Sequence, residues 1–243
     1  RLTMETFISK ELLKTEAAKF GVNLDEKALE RFDIYAKLLV EWNEKINLTA
    51  ITDPEGIVMK HFVDSLSLFS AIEIPEGAKS IDVGTGAGFP GLAMLIARPD
   101  LKITLLDSTN KKLNVIRDIL QNLDLECEVL HTRAEEAGQN KAYREQYDFA
   151  TARAVSNLRD LSEYCLPFVK KGGTFISMKS AKAEEEIAEG RNAIKILGGN
   201  IKEKKTFEID EAGERTIILI EKISTTPAKY SRPSAKIAKN PLR

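Results

Sequence analysis

The stretch that most constrains this chain runs from Ile81 to Gly91 and reads IDVGTGAGFPG. A short apolar run, KSIDV, leads into it, and GLAMLIAR, of helical composition, leaves it. Glycines clustered at such a junction permit backbone angles closed to other residues and let a ligand approach the main chain. The same strand-then-helix rhythm continues downstream. KITLLD, ECEVLHT, YDFATA and GTFISMKS read as strands, while NKKLNVIRDILQNL, NLRDLSEYCLPFV and AEEEIAEGRNAIKILGG read as helices. The alternation predicts an α/β fold with a doubly wound, mostly parallel sheet, and the right-handed crossover rule fixes most of its topology. KEKKTFEI and RTIILIEKI are joined by a turn too short for a parallel crossover, so they are expected to form a C-terminal antiparallel hairpin that completes seven strands.

Upstream of Lys79 no strand-like segment occurs. Met4 to Phe20 reads as a helix stopped by Gly21, and Asp25 caps a second helix on which Ile34, Leu38, Trp42 and Ile46 share a face. Asp53-Pro54, a cap followed by a first-turn proline, starts a third that carries IVMKHFVDSLSLFSAI and ends at Pro75-Glu76-Gly77. Past Glu221 the chain holds Lys222, Lys229, Arg232, Lys236, Lys239 and Arg243, no acidic residue and three prolines, which reads as a basic, extended tail. The expected organisation is a helical extension over residues 1–77, a Rossmann-like core over 78–223 and the tail over 224–243.

Composition narrows the function classes. Apolar residues at 43% suffice for a sizeable core, and a net charge of -1 excludes a chain that is cationic as a whole. Cys127 and Cys165 lack metal-like spacing and read as reduced thiols of an intracellular protein. With His61 and His131 the only histidines, no zinc site is expected. No apolar run approaches the ~20 residues that span a bilayer. A cytoplasmic monomer without membrane attachment is the expectation.

The glycine turn alone fits two cofactors. Gly86-x-Gly88-x-x-Gly91, with Asp107 some way downstream, is a literal dinucleotide fingerprint. Two details favour S-adenosylmethionine instead. Pro90 removes an amide donor where a pyrophosphate needs one, and the Asp82 charge repels a phosphate but tolerates an ammonium and a sulfonium. Asp82, Gly84, Gly86 and Gly88 are then cofactor-binding candidates, with Asp107 placed to accept ribose hydroxyls and Ser108 beside it. Glu135, Glu136 or the Ala134-Glu135 main chain can reach the adenine edge. The basic-Gly-Gly entry in LPFVKKGGTFISMK and the closing hairpin look like those of class I methyltransferases.

With these pieces in order, the chain closely resembles, almost end to end, the bacterial 16S ribosomal RNA guanine-N7-methyltransferase family (methyltransferase G, also called glucose-inhibited division protein B). The marks are LVEWNEKINLTAI, KHFVDSL, DVGTGAGFPG, LLDSTNKK, HTRAEE and ATARAVSNL, in that order. The resemblance implies that Gly84, Phe89, Ala134, Glu135 and Arg153 line the cofactor site, and that the target is a guanine at position 527 of 16S rRNA, in the small ribosomal subunit or its precursor.

Guanine N7 carries a lone pair and no proton at neutral pH, so direct in-line transfer needs positioning rather than a general base. Arg153, in ATARAV, stands where the reacting base is expected; it contacts the guanine, the cofactor or an RNA phosphate, or else serves a structural ion pair. His61 and Asp64 lie one helical turn apart; the resemblance suggests a lid, while the residues by themselves read as a satisfied histidine. Trp42 reads as core. RNA affinity requires cations, for which the tail, Lys111-Lys112, Lys170-Lys171 and Lys179-Lys182 are the candidates. Truncation after Glu221 is expected to cut rRNA methylation far more than cofactor binding.

Overall fold

The computed structural model describes residues 5–153, 156–179 and 183–243. Seven strands form its sheet: β1 Lys79–Val83, β2 Lys102–Asp107, β3 Glu128–His131, β4 Tyr147–Arg153, β5 Val169–Lys179, β6 Gly199–Ile209 and β7 Gly213–Lys222. Their spatial order is β3-β2-β1-β4-β5-β7-β6. All neighbours are parallel except β7, which runs antiparallel to both β5 and β6. The chain winds outward from β1 through β2 and β3, then returns to place β4 on the other side of β1. In open α/β sheets ligands bind beyond the carboxyl ends of the strands at that reversal.

The helices are α1 Lys10–Ala18, α2 Glu26–Asn43, α3 Pro54–Gly56, α4 Asp64–Leu66, α5 Gly91–Ala97, α6 Asn110–Leu123, α7 Ala134–Ala137, α8 Leu158–Cys165, α9 Ala183–Ile196 and α10 Ser234–Lys239. Between α3 and α4 the run is a π-helix, Ile57–Val63, and a 3-10 turn, Ser67–Ser70, follows α4. Side chains alternate across each strand. Ile103, Leu105 and Ile176 face the cluster built from α1, α2, the π-helix, α5 and α6, whereas Leu106, Phe175 and Ile218 face that of α8 and α9. The N-terminal helices thus share one buried core with the sheet. No helix among the described residues is long and apolar enough to cross a membrane.

Several expectations shift. Among the described residues α1 starts at Lys10, because Ser9 caps it and Asp33 holds the Phe7 and Ile8 amides at 2.8 and 2.9 Å; Met4 lies outside those residues. Ile46 leaves the α2 face: Asn43 Oδ1 accepts from the Leu48 and Thr49 amides and turns the chain. Trp42 is half-buried and donates to Asp118 at 2.7 Å, tying α2 to α6. Gly172-Gly173 lies inside β5, not before it; a side chain on Gly173 would meet the Asp148 carbonyl at 2.5 Å.

The largest correction concerns the tail, which folds back on the core. Lys222 is fully buried, donating to the Leu166 and Val169 carbonyls at 2.7 and 2.8 Å and pairing with Glu145 at 3.2 Å. Arg144 donates to the carbonyls of Gly138, Thr226, Pro227 and Tyr230. Arg232 clasps buried Glu163, and α10 inserts Ile237. Proline content and charge suggested extension; the partners that oppose it lie far away in sequence.

Candidate cofactor cleft

A cleft of about 540 Å³ opens at the carboxyl ends of β1 and β4. Gly84, Gly86, Phe89, Asp107, Ser108, Ala134, Glu135 and Arg153 line it, together with His61, Lys112, Arg133 and Ser234. Two expected members lie behind it. Gly88 has φ +105, and a Cβ there would stand 2.4 Å from the Tyr35 hydroxyl, so it packs against α2. Gly86, at φ +58, has nothing within 4 Å of its missing Cβ.

Asp82 is the second correction. It is 1% exposed and does not reach the cleft. Oδ2 accepts from Thr85 Oγ1 at 2.7 Å and the Gly91 amide at 2.9 Å, while Oδ1 accepts from Thr151 at 3.0 Å. Burial pushes its pKa up and those three donors oppose the rise. Its function here is to brace the turn. It also consumes the first amide of α5, and the second, Leu92, donates to the Gly88 carbonyl at 2.8 Å. With Pro90 preceding them, those positions offer a pyrophosphate nothing.

Asp107 is placed differently. Oδ2 accepts from the Gly86 amide and Oδ1 from the Thr109 amide, both at 2.9 Å. A carboxylate has about four lone-pair sites, so roughly half remain for a ligand at the cleft wall. Glu135, just beyond the neighbouring strand β3, also lines the cleft, with Arg133 3.9 Å from its Oε1, whereas Glu136 is exposed and does not line it.

The third wall is assembled from distant segments. His61 stacks on Phe89 with centroids 4.5 Å apart, and Arg153 sits over the same ring at 5.0 Å. Arg153 donates to His61 Nδ1 at 3.0 Å, to Asp64 Oδ2 at 3.2 Å and to the Lys60 carbonyl at 3.3 Å. A guanidinium only donates, so Nδ1 is an acceptor and Nε2–H donates to Thr49 Oγ1 at 2.8 Å. Burial and the Arg153 charge lower the His61 pKa to about 3, keeping the ring neutral. Asp64, 2% exposed, also binds Arg215. Arg215 drew no notice as a sequence feature; it sits 151 residues from Asp64 in a strand that reads as ordinary hairpin. The π-helix carrying His61 is likewise invisible in periodicity, though such segments concentrate at functional sites.

The expected cation surfaces divide. Lys112 lines the cleft, where Arg133, not among the expected cations, joins it, and Lys229, Lys236 and Lys239 are exposed. Lys170 pairs with Asp148 at the amino-terminal ends of β5 and β4, away from the cleft, and Lys179 is buried against Glu186 at 3.1 Å; Lys182 lies outside the described residues. No group of three or more His, Cys, Asp or Glu side chains able to hold a metal occurs among the described residues.

The sequence model of the family described as GidB, rRNA small subunit methyltransferase G, matches residues 28–218. Proteins named ribosomal RNA small subunit methyltransferase G are similar along their whole length. That of Alkaliphilus metalliredigens is 45% identical over 97% of this chain and 99% of its own. That of Staphylococcus carnosus is 46% identical over 96% and 98%. Among solved structures, TrmN from Thermus thermophilus superposes with a TM-score of 0.52 at 14% identity, covering 68% of this chain and 53% of its own. TYW2 from M. jannaschii, solved in complex with AdoMet, gives 0.50 at 11% identity over 63% and 73%. These structures share the class I methyltransferase fold.

Proposed function

The chain belongs to the rRNA small subunit methyltransferase G family, whose activity is S-adenosylmethionine-dependent N7-methylation of a guanine in 16S rRNA, and from that premise we propose how its cleft serves the reaction. Asp107 accepts the ribose hydroxyls, the open face at Gly86 admits the cofactor's backbone-hugging portion, and the Ala134-Glu135 segment borders the adenine. The observation that carries the cofactor assignment is the spent N-terminus of α5, where Asp82 and Gly88 take the amides a pyrophosphate would need. When bound, the cofactor supplies an electrophilic methyl group on a sulfonium.

Arg153 engages three acceptors through NH1 and NH2, so among the described residues Nε–H and one NH2 hydrogen keep no partner. That adjacent pair matches a carboxylate in bidentate fashion. The same fork laid on a guanine would cover O6 and N7 together and block the lone pair that must react. Arg153 therefore binds the cofactor's amino-acid carboxylate. Neutral His61, stacked on Phe89, holds it there, and no residue is required to remove a proton. Lys112 and Arg133 at the cleft receive RNA phosphates. The target guanine is opened from its stack to present N7.

Calorimetry tests the assignment. S-adenosylhomocysteine is expected to bind and NADH not to bind, and Arg153→Ala is expected to weaken the former by about thirtyfold. Binding of NADH, or unchanged affinity in Arg153→Ala, would overturn it.

A further inference from the structure

Asp64 lies in α4, directly after the π-helix, and serves two arginines at once. Arg215 Nε donates to Oδ1 at 2.6 Å and Arg215 NH2 to Oδ2 at 3.2 Å, a bidentate pair. Arg153 NH1 reaches Oδ2 alone, at 3.2 Å. Side-on, two-bond pairing is the stronger arrangement for a guanidinium and a carboxylate. Arg215, reaching across from β7, has that arrangement; Arg153, the residue at the cleft, has only the edge of the same carboxylate.

Both arginines are mostly buried, with side chains 18% and 16% exposed, and Asp64 is 2% exposed. A carboxylate so enclosed, facing a single arginine, would take both of its forks' bonds to compensate its own desolvation. His61 Nδ1 and the Lys60 carbonyl tether Arg153 from the other side, and both lie on the π-helix. Two guanidinium charges over one carboxylate, with His61 neutral, leave an excess positive charge at the cleft wall.

We propose that Arg215 is a positioning residue for cofactor binding: by holding Asp64 through two bonds, it stops Asp64 from closing on Arg153 and keeps the Arg153 fork turned into the cleft. The inference rests on the reading that Arg153 binds the cofactor's carboxylate. For a second substitution, at Asp64, it makes a prediction opposite in sign to that of a plain structural role. Removing Arg215 lets Asp64 capture Arg153, so affinity for the carboxylate falls. Removing the Asp64 charge as well releases Arg153, so affinity returns.

The probes are S-adenosylhomocysteine, which carries the amino-acid carboxylate, and 5′-methylthioadenosine, which lacks it; calorimetry gives the ratio of their affinities, and thermal melting checks each variant. Arg215→Ala is expected to weaken S-adenosylhomocysteine about tenfold and 5′-methylthioadenosine hardly at all. The Arg215→Ala/Asp64→Asn double variant is expected to regain most of the ratio. Arg215→Lys, which keeps the charge but not the fork, supplies the same comparison if the alanine form does not fold. Equal weakening of both probes, or a double variant worse than the single one, would overturn the proposal. Arg153→Ala separates the two levels: an unchanged ratio there sinks the carboxylate reading itself, whereas a collapsed ratio in Arg153→Ala with an unchanged one in Arg215→Ala sinks only the positioning role.

Discussion

Two walls of one cleft are built in opposite ways. The wall at β1 and α5 is largely local: Asp82, Thr85, Gly86, Gly88 and Gly91 lie within one turn of chain, Asp107 and Thr151 join from neighbouring strands, and Tyr35 of α2 donates to the Ala87 carbonyl at 2.6 Å. The wall at Arg153 gathers Thr49, the His61–Asp64 turn, Arg153 and Arg215 from four separate segments. The first is fixed by backbone geometry, which tolerates almost no change. The second is fixed by charge and hydrogen bonds, which can be retuned one at a time. A binding site gains a rigid floor and an adjustable side from that division.

The contrast is broken most severely at Gly88. Gly88→Ala introduces strain at φ +105 and a contact of 2.4 Å with the Tyr35 hydroxyl. It is expected to cost about 3 kcal/mol in urea unfolding, from backbone strain plus overpacking. Gly86→Ala, at φ +58 with open space around it, is expected to cost only about 1 kcal/mol while still reducing S-adenosylhomocysteine affinity. Equal costs at the two glycines would mean that the turn is not packed against α2 as described.

The assembled wall responds to pH instead. His61 ionises at about 3 in the folded protein and near its ordinary 6.5 when unfolded. The unfolded chain therefore binds the extra proton first, so stability is whole above the unfolded value and falls as pH drops through the window between the two. The loss from this group approaches about 1.4 kcal/mol per pH unit there. Urea melts between pH 7 and pH 5 should show a steeper decline for the native sequence than for His61→Gln. Parallel declines would contradict a neutral, buried His61. Methyl transfer itself should show no His61 ionisation above about pH 5, since the ring stays neutral there.

The smallest effect is expected at Thr49. Thr49→Ala removes the acceptor of His61 Nε2–H and of the Ile51 amide, both bonds partly buried. A loss of about 1 kcal/mol in stability, with cofactor affinity nearly intact, would place Thr49 outside the Arg153 contact itself. A loss of affinity as large as that of Arg153→Ala would show the wall to be a single unit rather than a set of adjustable bonds.

The same division governs what the sequence made legible. β1 and α6 occupy the stretches that periodicity and capping predicted, and Asp25 and Asp53 cap helices as read, because those signals are local. The glycine turn was recognised, yet Asp82 and Gly88 were assigned to the ligand when they brace the turn from behind; a motif records that a residue is required, not which side of the backbone requires it. Arg153 was read through family resemblance, but its two contacts on the π-helix depend on partners 92 and 93 residues away, and Asp64, which it shares with Arg215, lies 89 residues from it and 151 from Arg215. The C-terminal segment misled for the same reason. Its charges suggested a free RNA-binding tail, whereas Glu163 takes Arg232 and the Leu166 and Val169 carbonyls take Lys222. Truncation after Glu221 would remove Lys222, Tyr230 and Ile237, all buried, so loss of methylation in that variant reports on folding as much as on RNA.

The central claim is that this cleft delivers a methyl group to N7 of a guanine in small-subunit rRNA. Small subunits that lack the modification, incubated with the protein and methyl-labelled S-adenosylmethionine, allow the modified nucleotide to be mapped directly. A single labelled guanine in 16S rRNA, carrying the methyl at N7 and absent when Asp107→Ala protein is used, is the predicted result. Label on another base, on another atom of guanine, or on ribosomal protein would contradict it.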